Sequence, residues 1–92
     1  MTVYIAGPMT GLPDYNVAAF YAAELELKKR GYTVLNPATL PRDLPDNKYL
    51  PICMAMIEAS DAVYMLPGWN RSQGATAEYW YAVRQGKIVK EG

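Results

Sequence analysis

Two short runs, "TVYIAG" (Thr2–Gly7) and "YTVLNP" (Tyr32–Pro37), flank a segment of helical spacing, and this arrangement limits the possible folds more than any other feature. The first run is β-branched and aromatic and ends in Gly-Pro, which predicts a buried strand. The second stops at Asn-Pro. Between them "VAAFYAAELELKKRG" places Val17, Phe20, Tyr21 and Leu27 near helical spacing. Its last turn, Lys28-Lys29-Arg30, suits the negative end of the helix dipole, and Gly31 suits a left-handed cap. Asn16 or Asp14 can cap its start. Strand, helix and strand in so short a span form a βαβ unit, which forces parallel pairing and a right-handed crossover.

The remainder continues the pattern. "ATLPRDLPDNKYLP" (Ala38–Pro51) holds three prolines and is expected to be a long loop, a lid or binding segment. "ICMAMIEAS" (Ile52–Ser60) predicts a short apolar helix whose sulfur-bearing residues fill the core. "DAVYMLP" (Asp61–Pro67) predicts a strand buried on both faces. A helix over Ala75–Gln85 follows, stopped by Gly86, and "KIVKE" is a fourth strand. The 92 residues therefore predict a single α/β domain over 1–92. It is a small three-layer flavodoxin/Rossmann-like domain with a mainly parallel sheet of about four strands flanked by helices.

Composition removes several functions. Nine basic and nine acidic residues cancel, which argues against bulk binding to a nucleic acid polymer or an anionic membrane. One cysteine, Cys53, allows no internal disulfide and fits a reducing, cytoplasmic setting. No apolar run is long enough to span a bilayer. The chain contains no histidine, so Ser-His and Cys-His pairs and histidine metal ligands are absent. Acid–base or nucleophilic work falls on Asp, Glu, Tyr, Lys, Cys or water, and neither metal nor cofactor is expected.

In open parallel sheets, ligands bind beyond the carboxyl ends of the strands. "GPMTGLPDYN", "NPATLPRD" and "PGWNRSQGA" must lie on that edge, while little follows the fourth strand before Gly92. Gly7 and Gly11 allow a ligand close to backbone. Ser72 and Gly74 precede a helix whose first N–H groups favour an anion, and Arg71 can add a charged fork. Equally, Gly7-Pro8 can simply turn the chain, and Gly74 can simply let a helix pack closely.

"GWNRSQGATAEYWYAV" (Gly68–Val83) places Glu78 among small and aromatic residues. Helical neighbours Ala75, Tyr79 and Ala82, with Val83, form the expected inner stripe, so Glu78 lies on or beside the sheet-facing side, in the first turn. A first-turn glutamate can instead serve the dipole or a capping box to residue 75. Tyr79, Trp80 and Tyr81 cover too much of the helix to bury against one sheet. Some are expected in a homo-oligomer interface along this helix, or lining a pocket that stacks a flat ring.

Two segments carry a resemblance over nearly the whole chain: "YIAGPMTGLPDYN…F…A…LKKRGYTVLNPA" and "SDAVYMLPGWNRSQGATAEYWYAVRQG". The sequence resembles the DUF4406-like proteins, a small phage and bacterial family of unassigned function. These are related to nucleoside 2-deoxyribosyltransferases and 2′-deoxynucleoside 5′-phosphate N-hydrolases. The resemblance implies that Glu78 is the nucleophile on a 2-deoxyribosyl anomeric carbon. It implies that Ser72 corresponds to a phosphate-holding serine, as in the nucleotide hydrolases. It also implies that Tyr4 and the Gly7, Pro8, Met9 and Gly11 loop line the sugar and base pocket. Asn36, Gly68, Trp69, Arg71, Gly74 and Ala75 complete the expected binding set. One departure stands out: Cys53 occupies the position of an aspartate that assists the leaving base in those enzymes. Asp14, Asp43 or Asp46 can substitute from a loop.

The expected activity is therefore N-glycosidic cleavage or 2-deoxyribosyl transfer on a deoxynucleoside or its 5′-monophosphate. A non-catalytic nucleotide or small-molecule binding protein on the same fold is the alternative. A structural phage protein acting through its aromatic surface is a third, weaker possibility.

Overall fold

The structure is a computed structural model and describes residues 1–92. Four parallel strands, β1 (Thr2–Ala6), β2 (Thr33–Leu35), β3 (Ala62–Met65) and β4 (Ile88–Glu91), form one sheet in the order β2-β1-β3-β4. Three helices connect them: α1 (Val17–Lys29), α2 (Asp46–Glu58) and α3 (Gln73–Arg84). The right-handed rule for parallel crossovers dictates the layers. The chain moves from β1 outward to β2, then back across the sheet to β3 and on to β4. The first crossover must therefore lie on one face and the other two on the opposite face.

Side-chain alternation along β1 and β3 matches this. Val3, Ile5 and Ala62 pack with Phe20 and Leu27 of α1. Tyr4, Ala6, Val63 and Met65 face the other way and pack with Cys53 and Ile57 of α2 and Ala82 of α3. Both central strands are thus apolar on both faces, as a covered parallel strand must be. The result is the expected small three-layer α/β domain of Rossmann type.

Beyond Ala6 and Met65, the connections from β1 and β3 diverge toward opposite faces and opposite edges of the sheet, which makes this the topological switch point. The two loops touch there. A Cβ on Gly7 would lie 2.8 Å from Leu66 Cβ, so only glycine lets the strand ends stay this close. Gly68, at φ +85, lies against the Pro8 ring.

The expected long loop over Ala38–Pro51 is corrected by the structure. After a 3-10 turn at Pro37–Thr39, α2 begins at Asp46 and runs through Pro51. Proline removes one intrahelical hydrogen bond, but Pro51 lies on the exposed side while Cys53 and Ile57 are buried beneath. Packing against the sheet outweighs the local break. Helix α3 also starts earlier than expected, at Gln73. Neither Asn16 nor Asp14 caps α1 with its side chain. Asn16 instead donates from Nδ2 to the Pro8 carbonyl at 3.0 Å, and Asp14, Tyr15 and Asn16 all have positive φ. Tyr21, one of the residues at helical spacing in α1, is exposed.

Candidate active site

Tyr4 sits at the middle of β1, the second strand of the sheet, and its ring enters the core beneath α2 and α3. It is fully buried. A phenol in that position needs a hydrogen-bond partner, and Glu78 supplies it: Tyr4 Oη donates to Glu78 Oε2 at 2.8 Å. Glu78 is itself only 9% exposed. With Ala75 and Ala82 it forms the buried stripe of α3, and the two alanines let the helix approach the sheet closely enough for the carboxyl to reach Tyr4. Cys53, from α2, is buried in the same core cluster as Tyr4, and its thiol feels the Glu78 charge. No buried side-chain polar atom is left without a partner.

The electrostatics follow from this enclosure. Burial disfavours the carboxylate, and the bond from Tyr4 only partly offsets it, so the Glu78 pKa rises to about 7. Burial also pushes the Cys53 thiol up to about 11. Desolvation, and then the neighbouring Glu78 charge, hold the Tyr4 phenol well above its ordinary value. None of the three ion pairs in the structure involves Glu78. Near neutrality the carboxyl is therefore divided between an anion and an acid.

The details of α3 differ from expectation. Because the helix starts at Gln73, Glu78 lies in its second turn, and no acidic residue occupies the first. The capping box is therefore excluded. Ser72 is the N-cap, and its Oγ accepts from the Ala75 amide at 3.2 Å. Val83 is 42% exposed and does not belong to the inner stripe. Of the consecutive aromatics, Tyr79 stacks on Trp69 with centroids 4.6 Å apart and planes at 18°. The Tyr81 hydroxyl donates to Glu58. Trp80 alone is largely open, at 59% exposure. At the end of β4, Glu91 Oε1 accepts from Trp69 Nε1 at 3.0 Å.

The remaining predicted residues divide into groups. Gly7, Pro8 and Gly68 meet at the switch point. Gly11, at φ +84, has open space where a side chain would be, and Met9 packs on the α1 side of the sheet. Gly74 and Ala75 lie in the first turn of α3. Arg71 and Ser72 open onto a shallow groove with Asn70, Gln73, Thr76, Ala77 and Trp80. On α3 that groove takes in Gln73, Thr76, Ala77 and Trp80, and Glu78 is not among its lining residues. Asn36 is drawn elsewhere: its Nδ2 donates to Glu24 at 3.0 Å and its Oδ1 accepts from the Ala38 amide at 2.8 Å.

The loop carboxyls do not join the cluster either. Asp14 pairs with Arg42 at 2.7 Å, and Asp43 and Asp46 are exposed. Glu78 is the only buried carboxyl. Sequence reasoning missed the Arg42 link, which also sets the guanidinium over the Tyr15 ring at 5.8 Å and ties the first loop to the second. Opposite charges in two proline-bearing loops were its only trace in the sequence.

The family model described as a domain of unknown function, DUF4406, matches residues 1–91. Among solved structures, a 2-desoxiribosyltransferase from Leishmania mexicana is similar to this chain. It superposes with a TM-score of 0.76 at 27% identity, over 98% of this chain and 62% of that one. The chain thus spans less than two thirds of that protein's length. No curated protein matches the chain.

Proposed function

The chain belongs to the DUF4406 family, and from its likeness to a 2-desoxiribosyltransferase and its buried carboxyl we propose that it cleaves or transfers at the N-glycosidic bond of a 2-deoxyribonucleoside or its 5′-monophosphate. The observation that carries this reading is the Tyr4–Glu78 pair, a carboxyl held in the core without a counter-cation. A purely structural glutamate would be better replaced by an apolar residue, because burying an unpaired charge is costly.

In this reading Tyr4 engages one carboxylate oxygen and fixes its orientation, while the other faces the sugar. The carboxylate oxygen bonds to C1′ and the C1′–N pair leaves with the base, through an oxocarbenium-like transition state as in retaining glycosidases. Water or a second base then attacks C1′, the ester C–O bond breaks, and the carboxylate is restored. A water that attacks loses its proton to solvent. The first-turn amides of Gln73 and Gly74 and the Ser72 hydroxyl form the proposed 5′-phosphate seat, since helix N-termini favour anions. The Gly7–Gly11 loop, with Gly68 and Trp69, forms the proposed sugar and base walls. Two copies meeting along α3, with Trp80 at the contact, form the proposed oligomer.

The experiment is direct. The protein is incubated with each deoxynucleoside and each 5′-monophosphate, and free base is measured beside Glu78→Gln. Base release that Glu78→Gln abolishes is the expected result. No release from any substrate at high protein concentration counts against catalysis. In that case a ligand recovered intact after tight binding favours the second reading, a nucleotide-binding protein. That reading draws on Cys53, whose buried thiol, with its pKa pushed up to about 11, is a much weaker proton donor than a carboxyl.

A further inference from the structure

On the glycosidic reading, which is the premise here, the site must do two opposite things. A nucleophilic carboxyl must be ionised, and a departing base usually needs a proton. Enzymes that break glycosidic bonds assign these tasks to two carboxyl groups held in different environments. The buried cluster here has only one. Its three titratable members are Tyr4, Cys53 and Glu78, and Glu78 is the only buried carboxyl in the chain.

Neither partner of Glu78 can fill the missing role. The Tyr4 proton is already committed to Glu78 Oε2, and burial holds that phenol above its ordinary range. Cys53 stands on α2 facing Glu78, yet burial holds its pKa up at about 11. Asp14, Asp43 and Asp46 are exposed, with Asp14 fastened to Arg42. A protonated Glu78 has a transferable proton but is then no nucleophile.

We infer that the site selects 2-deoxyribosides by how readily the base departs without protonation, and that Cys53, in the wall facing Glu78, is the specificity-determining residue. The favoured substrates carry a base that is stable as an anion, such as an electron-poor pyrimidine, or a base already cationic that departs neutral. In the first step Glu78 bonds to C1′ and the C1′–N electron pair leaves entirely with the base. An anionic base takes its proton from water after release. Water then displaces Glu78 from C1′ and gives its proton to solvent, so the overall change is hydrolysis with no further reactant.

Two substrate series test this on the intact protein. One runs from thymidine through 2′-deoxyuridine to its 5-bromo and 5-fluoro derivatives, in which the departing nitrogen becomes progressively more acidic. The other compares 2′-deoxyguanosine with 7-methyl-2′-deoxyguanosine, whose base departs neutral. Each compound is supplied as nucleoside and as 5′-monophosphate. The expected kcat/KM for the 5-fluoro compound exceeds that for thymidine by at least about tenfold, and methylation at N7 gives roughly a hundredfold or more, the range that a general acid otherwise supplies. Cys53→Asp installs a carboxyl facing Glu78 and is expected to shrink both ratios several-fold by raising the slow substrates. Should that variant fail to fold, the two wild-type series still decide. Base release at equal rates across both series overturns the inference while leaving the glycosidic reading intact. No release even from the 5-fluoro and 7-methyl compounds overturns both.

Discussion

The Tyr4 hydroxyl on β1 and the Glu78 carboxyl on α3 lie 74 positions apart in sequence and 2.8 Å apart in space. The bond joins the sheet to the helix that follows the switch point, and it is the one polar contact that holds Glu78 in a fixed orientation with a donor whose own position is set by the core. Removing that donor has two consequences. Tyr4→Phe leaves the carboxyl without the bond that lowers its pKa, so the midpoint of any activity–pH profile moves upward from about 7. It also costs about 1–3 kcal/mol at pH 8, where the buried anion loses a partner. A pH–rate profile and urea unfolding measure the two effects separately, and an unmoved midpoint would show that the bond does not tune Glu78.

Glu78 has a raised pKa in the folded state, and the linkage sign follows from that. Between about 4.5 and 7 the folded protein binds more protons than the unfolded chain, so this group's contribution is fully present below 4.5 and is lost as pH rises through 7. The shift corresponds to roughly 3 kcal/mol. Glu78→Gln keeps an acceptor for Tyr4 without the charge. Its stability relative to wild type is therefore expected to improve from pH 5 to pH 8 by up to about 3 kcal/mol, while base release is lost at every pH. Parallel melting curves for the two proteins across that range would contradict the assignment.

Gly7→Ala tests the switch point itself. The added Cβ meets Leu66 Cβ at 2.8 Å, a carbon that persists in every residue but glycine. Destabilisation of about 1–3 kcal/mol is expected, and Leu66→Ala in the same chain should not restore the loss. Denaturant midpoints of the single and double variants decide this. Full rescue by the smaller side chain would place the conflict with the leucine branch instead.

Ser72 has a structural role and a proposed binding role, and they separate experimentally. As the N-cap of α3 it contributes about 1 kcal/mol, which Ser72→Ala removes. As part of the phosphate seat, its loss raises KM for 5′-monophosphates and leaves KM for the corresponding nucleosides unchanged. A stability loss with equal effects on both substrate classes would reduce Ser72 to a cap.

Trp80 is the one member of the aromatic run left largely in solvent. If copies meet along α3, Trp80→Glu shifts the protein to monomers in sedimentation experiments, since a buried carboxylate opposes association. A wild-type protein that is monomeric at high micromolar concentration would remove this element of the proposal.

The layered fold was legible because its determinants are local. The apolar runs at Thr2–Gly7 and Asp61–Pro67 mark strands covered on both faces, and the cationic end and glycine after Leu27 mark where α1 stops. Alternating strands and helices then leave few topologies. The inward aim of Glu78 followed from the small residues around it. Local signals misled where packing opposed them: Pro51 reads as a break, yet burial of Cys53 and Ile57 anchors α2 on the sheet. They were silent on the partners of Asn36, whose amide bonds to Glu24 and Ala38, because hydrogen-bond partners brought by another element leave no mark in the neighbouring sequence.

The sequence alone therefore determined the order of elements, the edge of the sheet where the glycine-bearing loops gather, and the identity of the acidic side chain that turns inward. These depend on side-chain periodicity and backbone chirality, which act over a few residues at a time. Only the tertiary structure decided that Tyr4 holds that side chain, that Cys53 is buried with them, and that Arg71 opens onto a groove that Glu78 does not line. Those facts arise from strand register and helix rotation, which are set by how the whole core closes, and they fix both the solvent around the carboxyl and its charge.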